Sequence, residues 1–141
     1  DEIAFIISNI LSDNNARSPA FGVNSSLVIP GKTVAVKTGT SDSKRDNWTI
    51  GYTPDYVTAV WVGNNDNTPM NPSLTSGVTG AAPIWNEIMT NLLKDKPDNT
   101  FPLPTTIVSL PCYGRIEFFI YGTQPKGGCP LLVTPTPSPV K

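Results

Sequence analysis

Thr33-Val34-Ala35-Val36-Lys37-Thr38-Gly39-Thr40 is the stretch whose reading decides the fold. Val34 and Val36 are β-branched and suit a pleated, half-buried surface, so the stretch reads as a strand. Its end carries chemistry: Lys37, Thr38 and Thr40 set one cation and two hydroxyls within four residues. Gly39 has no side chain, so another backbone can lie close against the strand there. An extended peptide paired along this edge would take main-chain hydrogen bonds from the strand, and its terminal carboxylate would meet the hydroxyls and the ammonium.

Working outward, the chain has 141 residues, enough for one modest domain. Ten basic and 11 acidic residues leave a net charge of −1, so there is no large basic field and nucleic acid is not an expected partner. No apolar run reaches bilayer length, so no membrane span is expected within the chain. The chain does not start with Met and shows no signal-peptide pattern, which reads as a piece of something longer or a processed product. There is no histidine, which removes Ser-His-Asp and Cys-His catalysis and argues against a zinc site. A serine nucleophile would need another base, and lysine is the usual substitute. No metal or other cofactor is expected.

Residues 1–11 read as a helix, apolar on more than one face and therefore buried on most sides, with Asp1 and Glu2 suited to its N-terminal dipole. Residues 12–30 are polar and rich in turn formers such as Ser18-Pro19 and Pro30-Gly31. Residues 40–47 read as a charged loop. Residues 48–52 and 56–62 read as two further strands around a tight turn at Thr53-Pro54-Asp55, the later one buried on both faces. Short loops make an antiparallel meander the simplest arrangement. The run Asn64 to Asp66 lacks the glycine and distal glutamate of a calcium-binding EF-hand loop. Thr79 is the expected N-cap of a helix over 80–94, with Pro83 tolerated in its first turn. Ile84, Trp85, Ile88, Met89 and Leu92 form its stripe, packing on the sheet. A proline-bearing linker over 94–104, short strands over 106–110 and 116–121, and a Pro/Thr/Ser tail from 134 complete the chain. The expected class is α+β, an antiparallel sheet packed by helices.

Three blocks in order, GKTVAVKTGTS (31–41), DNWTIGYTPDYVTAVWVGNND (46–66) and TGAAPIWNEIM (79–89), resemble the C-terminal part of the transpeptidase domain of penicillin-binding proteins. The likeness is greatest to the bifunctional, class A kind. It covers residues 1–93 well and continues more weakly to Cys129, where EFFIYGTQPKGGC (117–129) is similar to a short cysteine-containing extension in some class A proteins. The resemblance implies residues 1–94 as the C-terminal portion of the transpeptidase domain, with an incomplete sheet. It makes 95–131 a loop-rich extension and 132–141 a tail. It also implies a location outside the cytoplasm, with any anchor lying outside this chain. Cys112 and Cys129 then pair as a disulfide worth roughly 3 kcal/mol by chain-entropy reasoning, the alternative being two free thiols in a cytosolic chain.

Serine acyl-transferases of this superfamily carry Ser-x-x-Lys, Ser-x-Asn and Lys-Thr/Ser-Gly. By resemblance, Lys37 supports the proton network. Thr38, Gly39 and Thr40 bind the substrate, the two hydroxyls taking its carboxylate, and the Thr40 backbone N–H is an oxyanion-hole donor. Ser12-Asp13-Asn14 and Ser41-Asp42-Ser43-Lys44 match the other motifs by letter only. Family nucleophiles open a helix far upstream of the Lys-Thr-Gly strand, so neither serine is expected to act. The implied ligands are peptidoglycan stem peptides and β-lactams, and the implied partner is the N-terminal part of the same domain. Two other classes fit the residues. One is a non-catalytic module that docks peptides or β-lactams on the Lys-Thr-Gly edge; the other is an extracytoplasmic structural domain with a proline-rich spacer.

Overall fold

The computed structural model describes residues 1–72 and 79–130, so the tail over 132–141 lies outside the described residues. The chain divides into two compact units: Ile7–Phe101, and Asp1–Ile6 with the chain from Pro102 onward. Helices and antiparallel sheets make it an α+β protein.

In the larger unit the strands are β1 Ala35–Thr40, β2 Asp46–Tyr52 and β3 Val57–Gly63, an antiparallel meander in the order β1-β2-β3. The charged loop shrinks to four residues, because Ser41 N–H donates to the Asp46 carbonyl at 3.0 Å and closes the hairpin. Lys44 turns the chain at φ 53°. The Ser41 hydroxyl accepts from the Arg45 and Asp46 amides, each at 3.0 Å. The next turn is tied by Thr53, whose N–H donates to the Tyr56 carbonyl at 2.8 Å while its hydroxyl accepts the Tyr56 N–H at 3.1 Å.

Helix α3, Ala81–Leu93, covers one sheet face. Its buried stripe is Ala81, Ala82, Trp85, Met89 and Leu93, packed with Leu27, Ile29, Val34 and Val36. Ile84 and Ile88, expected in the stripe, are exposed. The stripe is rotated by about one residue because Trp85 seats over Gly51. Trp85 is fully buried, and a Cβ at Gly51 would collide with its ring, so β2 admits the indole only where the side chain is missing. The expected Thr79 cap is not the one used: Gly80 is the N-cap residue and makes no side-chain cap bond. The Ala81 N–H is instead taken by the Asn47 side chain of β2 at 2.7 Å.

Three further expectations change. Residues 14–21, read as turns, form helix α2, Asn14–Phe21, N-capped by Asp13, which accepts the Ala16 N–H at 3.1 Å. Pro19 is tolerated inside it because the Ser18 hydroxyl donates to the Asn15 carbonyl that a proline cannot serve. Second, β3 is not buried on both faces: Val57 is 70% and Trp61 40% exposed, since α3 covers only the other side. Third, α1, Glu2–Ser12, is not buried on most sides: Ile3, Ile7 and Ile10 are exposed, and only Phe5 and Ser8 are buried. The proline-bearing stretch after α3 is pinned rather than free. Asp98 accepts from the Thr33 amide at 2.6 Å and the Thr33 hydroxyl at 2.9 Å, and the Lys32 ammonium donates to the Lys96 carbonyl.

The second unit is built on a hairpin of β4, Ile107–Cys112, and β5, Arg115–Ile120. Its two-residue turn has both φ angles positive, Tyr113 at 51° and Gly114 at 79°, the twist that matches right-handed strands. Phe5 packs edge-on against Phe118 at 5.3 Å. Cys112 and Cys129 are joined, and the Tyr113 N–H donates to the Pro130 carbonyl at 2.9 Å.

Candidate active site

The chemistry-bearing end of β1 lies at a sheet edge, since β1 pairs only with β2 among the described strands. Hydrogen-bonded and non-hydrogen-bonded pairs alternate along an antiparallel ladder. Ser41 and Asp46 close the hairpin as a bonded pair, and the register continues Thr40 to Asn47, Gly39 to Trp48, Thr38 to Thr49. Gly39 therefore bonds inward to β2. Thr38 and Thr40 turn their N–H and C=O groups outward, along the free edge. The Lys37 ammonium agrees: it donates to the Thr38 carbonyl at 2.6 Å.

Lys37, Gly39 and Thr40 are exposed, and Thr38 is half-buried. Side chains alternate, so Lys37 and Gly39 share the face of Trp48 and Ile50, while Thr38 and Thr40 share the face of Asn47 and Thr49. One edge thus carries an ammonium, two hydroxyls and two outward backbone amides within four residues.

A recess of roughly 190 Å³ adjoins this edge, lined by Lys37, Thr38, Val36, Phe21, Leu11 and Arg17. The Arg17 guanidinium donates to the Leu11 carbonyl at 2.8 Å and to Asn14 at 3.2 Å. Burial pulls its pKa below the usual value, with Asp13 acting the other way. An arginine stays charged at neutral pH regardless. Two cations, Lys37 and Arg17, therefore line the recess beside Thr38, a setting that favours an anionic group. A larger cleft, roughly 370 Å³, is lined by Lys32, Tyr56, Lys96, Asp98 and others. Its polar groups are occupied in the contacts that pin residues 94–101, with Lys96 over the Tyr56 ring at 5.2 Å and Asn99 donating to Asp55 at 2.6 Å.

The two letter matches sit in local structure. Ser12 ends α1 and donates to the Asn9 carbonyl at 3.0 Å, and Asp13 caps α2. Ser41 ties the β1–β2 turn through the two amides it accepts. Among the described residues, no group of three or more acidic, cysteine or histidine side chains is placed to hold a metal ion.

Sequence reasoning missed Asn47, which it left in a loop. It is fully buried, directly opposite Thr40, and its Nδ2 donates to the Thr40 hydroxyl at 2.9 Å. A non-hydrogen-bonded pair brings side chains closest, which allows the contact. The signal lay in the hairpin register: a four-residue loop between Ser41 and Asp46 sets position 47 across from Thr40.

No protein-family model matches the chain. It is 38% identical over 115 residues to penicillin-binding protein 1A of Pseudomonas aeruginosa, which covers 79% of this chain and 14% of that protein. Penicillin-binding protein 1A of Escherichia coli is 28% identical over 150 residues, covering 87% of this chain and 18% of its own length. The crystal structure of penicillin-binding protein 1A from Haemophilus influenzae superposes with a TM-score of 0.60 at 33% identity, over 66% of this chain and 15% of that one. The chain therefore spans less than a fifth of the length of these relatives. No described helix is long and apolar enough to cross a membrane. By sequence and by fold together, this chain belongs with the penicillin-binding proteins and matches the C-terminal part of penicillin-binding protein 1A.

Proposed function

We propose that this chain is one wall of the active site of a peptidoglycan D,D-transpeptidase, and that the acylated serine is supplied by a segment outside it. The free outer edge of β1 carries this reading, with Thr38 and Thr40 turned outward beside Lys37. An extended stem peptide ending in a carboxylate pairs along that edge. Lys37 contributes positive charge to proton transfer at the serine. Thr38 and Thr40 take the carboxylate. The Thr40 N–H is one of two donors to the oxyanion of the tetrahedral intermediate, a contact whose loss typically costs about 3 kcal/mol in the transition state. A β-lactam, with a strained amide and a carboxylate in the same relation, occupies the same edge.

The local engagements of Ser12 and Ser41 support a nucleophile from elsewhere, as does the small share of the relatives that the chain spans. Residues 1–94 then belong to the transpeptidase domain, and 95–131 form its cysteine-bearing extension. The protein works outside the cytoplasm, where the bond between Cys112 and Cys129 persists. The chain by itself is inactive, and the full-length protein cross-links stem peptides.

Intact mass after incubation with a β-lactam tests this directly. The expected result is no adduct on the isolated chain and a stoichiometric adduct on the full-length protein, mapped upstream of residue 1. An adduct on Ser12 or Ser41, or a full-length protein that is never acylated, overturns the reading.

A further inference from the structure

We infer that Asn47 is a positioning residue that commits the Thr40 hydroxyl to donating, and so makes the site selective for a carboxylate. The inference rests on the function proposed above.

The argument begins at the N-terminus of α3. The Ala81 N–H is a donor with no intrahelical acceptor, so it requires an oxygen. That oxygen is Asn47 Oδ1, at 2.7 Å. Its partner settles which way the Asn47 amide faces, because the flipped amide would set two donors against each other. Asn47 Nδ2 must therefore point at Thr40, whose hydroxyl accepts from it at 2.9 Å. A threonine hydroxyl has one proton. With a lone pair engaged by Asn47, that proton is directed away from Asn47, towards the exposed edge. A carboxylate accepts only, so a hydroxyl committed as a donor matches it.

The geometry is held on every side. Asn47 is fully buried. A Cβ at Gly80 would stand 2.7 Å from Asn47 Cγ, so the glycine is what lets the helix start approach the amide. Asn47 thus couples three elements: the end of β1, the middle strand, and the start of α3.

The experiment measures acylation by a fluorescent penicillin and by its methyl ester, in the full-length protein carrying this segment. Asn47→Asp keeps an acceptor for the Ala81 N–H but turns the other oxygen on Thr40, reversing that hydrogen bond. Reactivity with the acid is expected to fall about 10- to 100-fold, the effect of a hydrogen bond to a charged group. Reactivity with the ester is expected to change less than about threefold, since the ester gains little from that bond. Thr40→Val should reproduce the loss, and the double variant should lose no more than Thr40→Val alone. Should Asn47→Asp fail to fold, Asn47→Ala carries the test, with a smaller loss in the same direction. An unchanged acid-to-ester preference, or equal loss with both, overturns the inference. Wild-type protein that reacts with neither probe overturns the function on which it rests.

Discussion

The two faces of the three-stranded sheet come from the same strands yet differ in almost every respect. On one, Asn47, Thr49 and Gly51 are fully or nearly fully enclosed beneath α3, with Trp85 seated on the glycine. On the other, Trp48, Ile50 and Trp61 stand between 40% and 43% exposed, and Val57 more so. The composition is inverted from what burial alone would choose, since the covered face of β2 is the polar one. Asn47 there holds a helix start and an edge hydroxyl, while the apolar area is contributed by α3, β1 and Leu27 and Ile29. The open face has the aromatic and β-branched residues of a surface meant to be covered, which accords with a sheet that is incomplete in this chain.

The comparison can be broken first at Trp85. Trp85→Ala should cost about 3–5 kcal/mol, read as a fall in denaturant midpoint, because it empties the centre of the covered face. Gly51→Ala drives a methyl into the same ring, and about 1–3 kcal/mol is expected from overpacking. A smaller effect of opposite sign belongs to Thr49, whose buried hydroxyl has no hydrogen-bond partner among the described residues. Thr49→Val should be neutral or stabilising by about 1 kcal/mol, since it removes an unsatisfied polar group at nearly constant shape.

On the open face Ile50→Thr should shift the isolated chain by no more than about 0.5 kcal/mol. The same change in the full-length protein should cost more, about 1–3 kcal/mol, if an upstream segment covers that face. Equal effects in both proteins would mean that the face is an ordinary surface. Smallest is an acid effect outside the sheet. The Thr106 hydroxyl donates to the Glu2 carboxylate at 2.7 Å and, with the Glu2 backbone amide, holds its pKa below the ordinary value. A lowered folded pKa contributes stability that is present at neutral pH and lost as pH falls through that lowered value. Thr106→Val should reduce this acid-side component, measured as the pH dependence of amide exchange at β4.

The strand over Ala35–Thr40, the meander and its tight turn, the late helix and the two short strands after it were all legible, though not that those two strands pair as a hairpin. Each rests on short-range physics: β-branching, turn formers and helical spacing. The likeness to penicillin-binding proteins was legible too, because it lies in ordered blocks of residues. What was not legible depended on which neighbour arrived where. Helix α2 was hidden behind its proline and polar composition, and only the Asp13 cap and the Ser18 hydroxyl explain it. The rotation of α3 follows from one glycine across the interface. The openness of β3 and α1 could not be read from apolar residues, which say that a face wants burial and not whether anything buries it.

At the candidate site the division is similar. Sequence alone determined the residue types, an ammonium and two hydroxyls around a glycine on a strand end, because local composition carries them. Tertiary structure decided how those groups are presented. Hairpin register turned Thr38 and Thr40 outward, and the start of α3 oriented Asn47 against Thr40. A hydrogen bond's direction depends on the partner of its partner, and here that partner is Ala81, 34 residues beyond Asn47 along the chain.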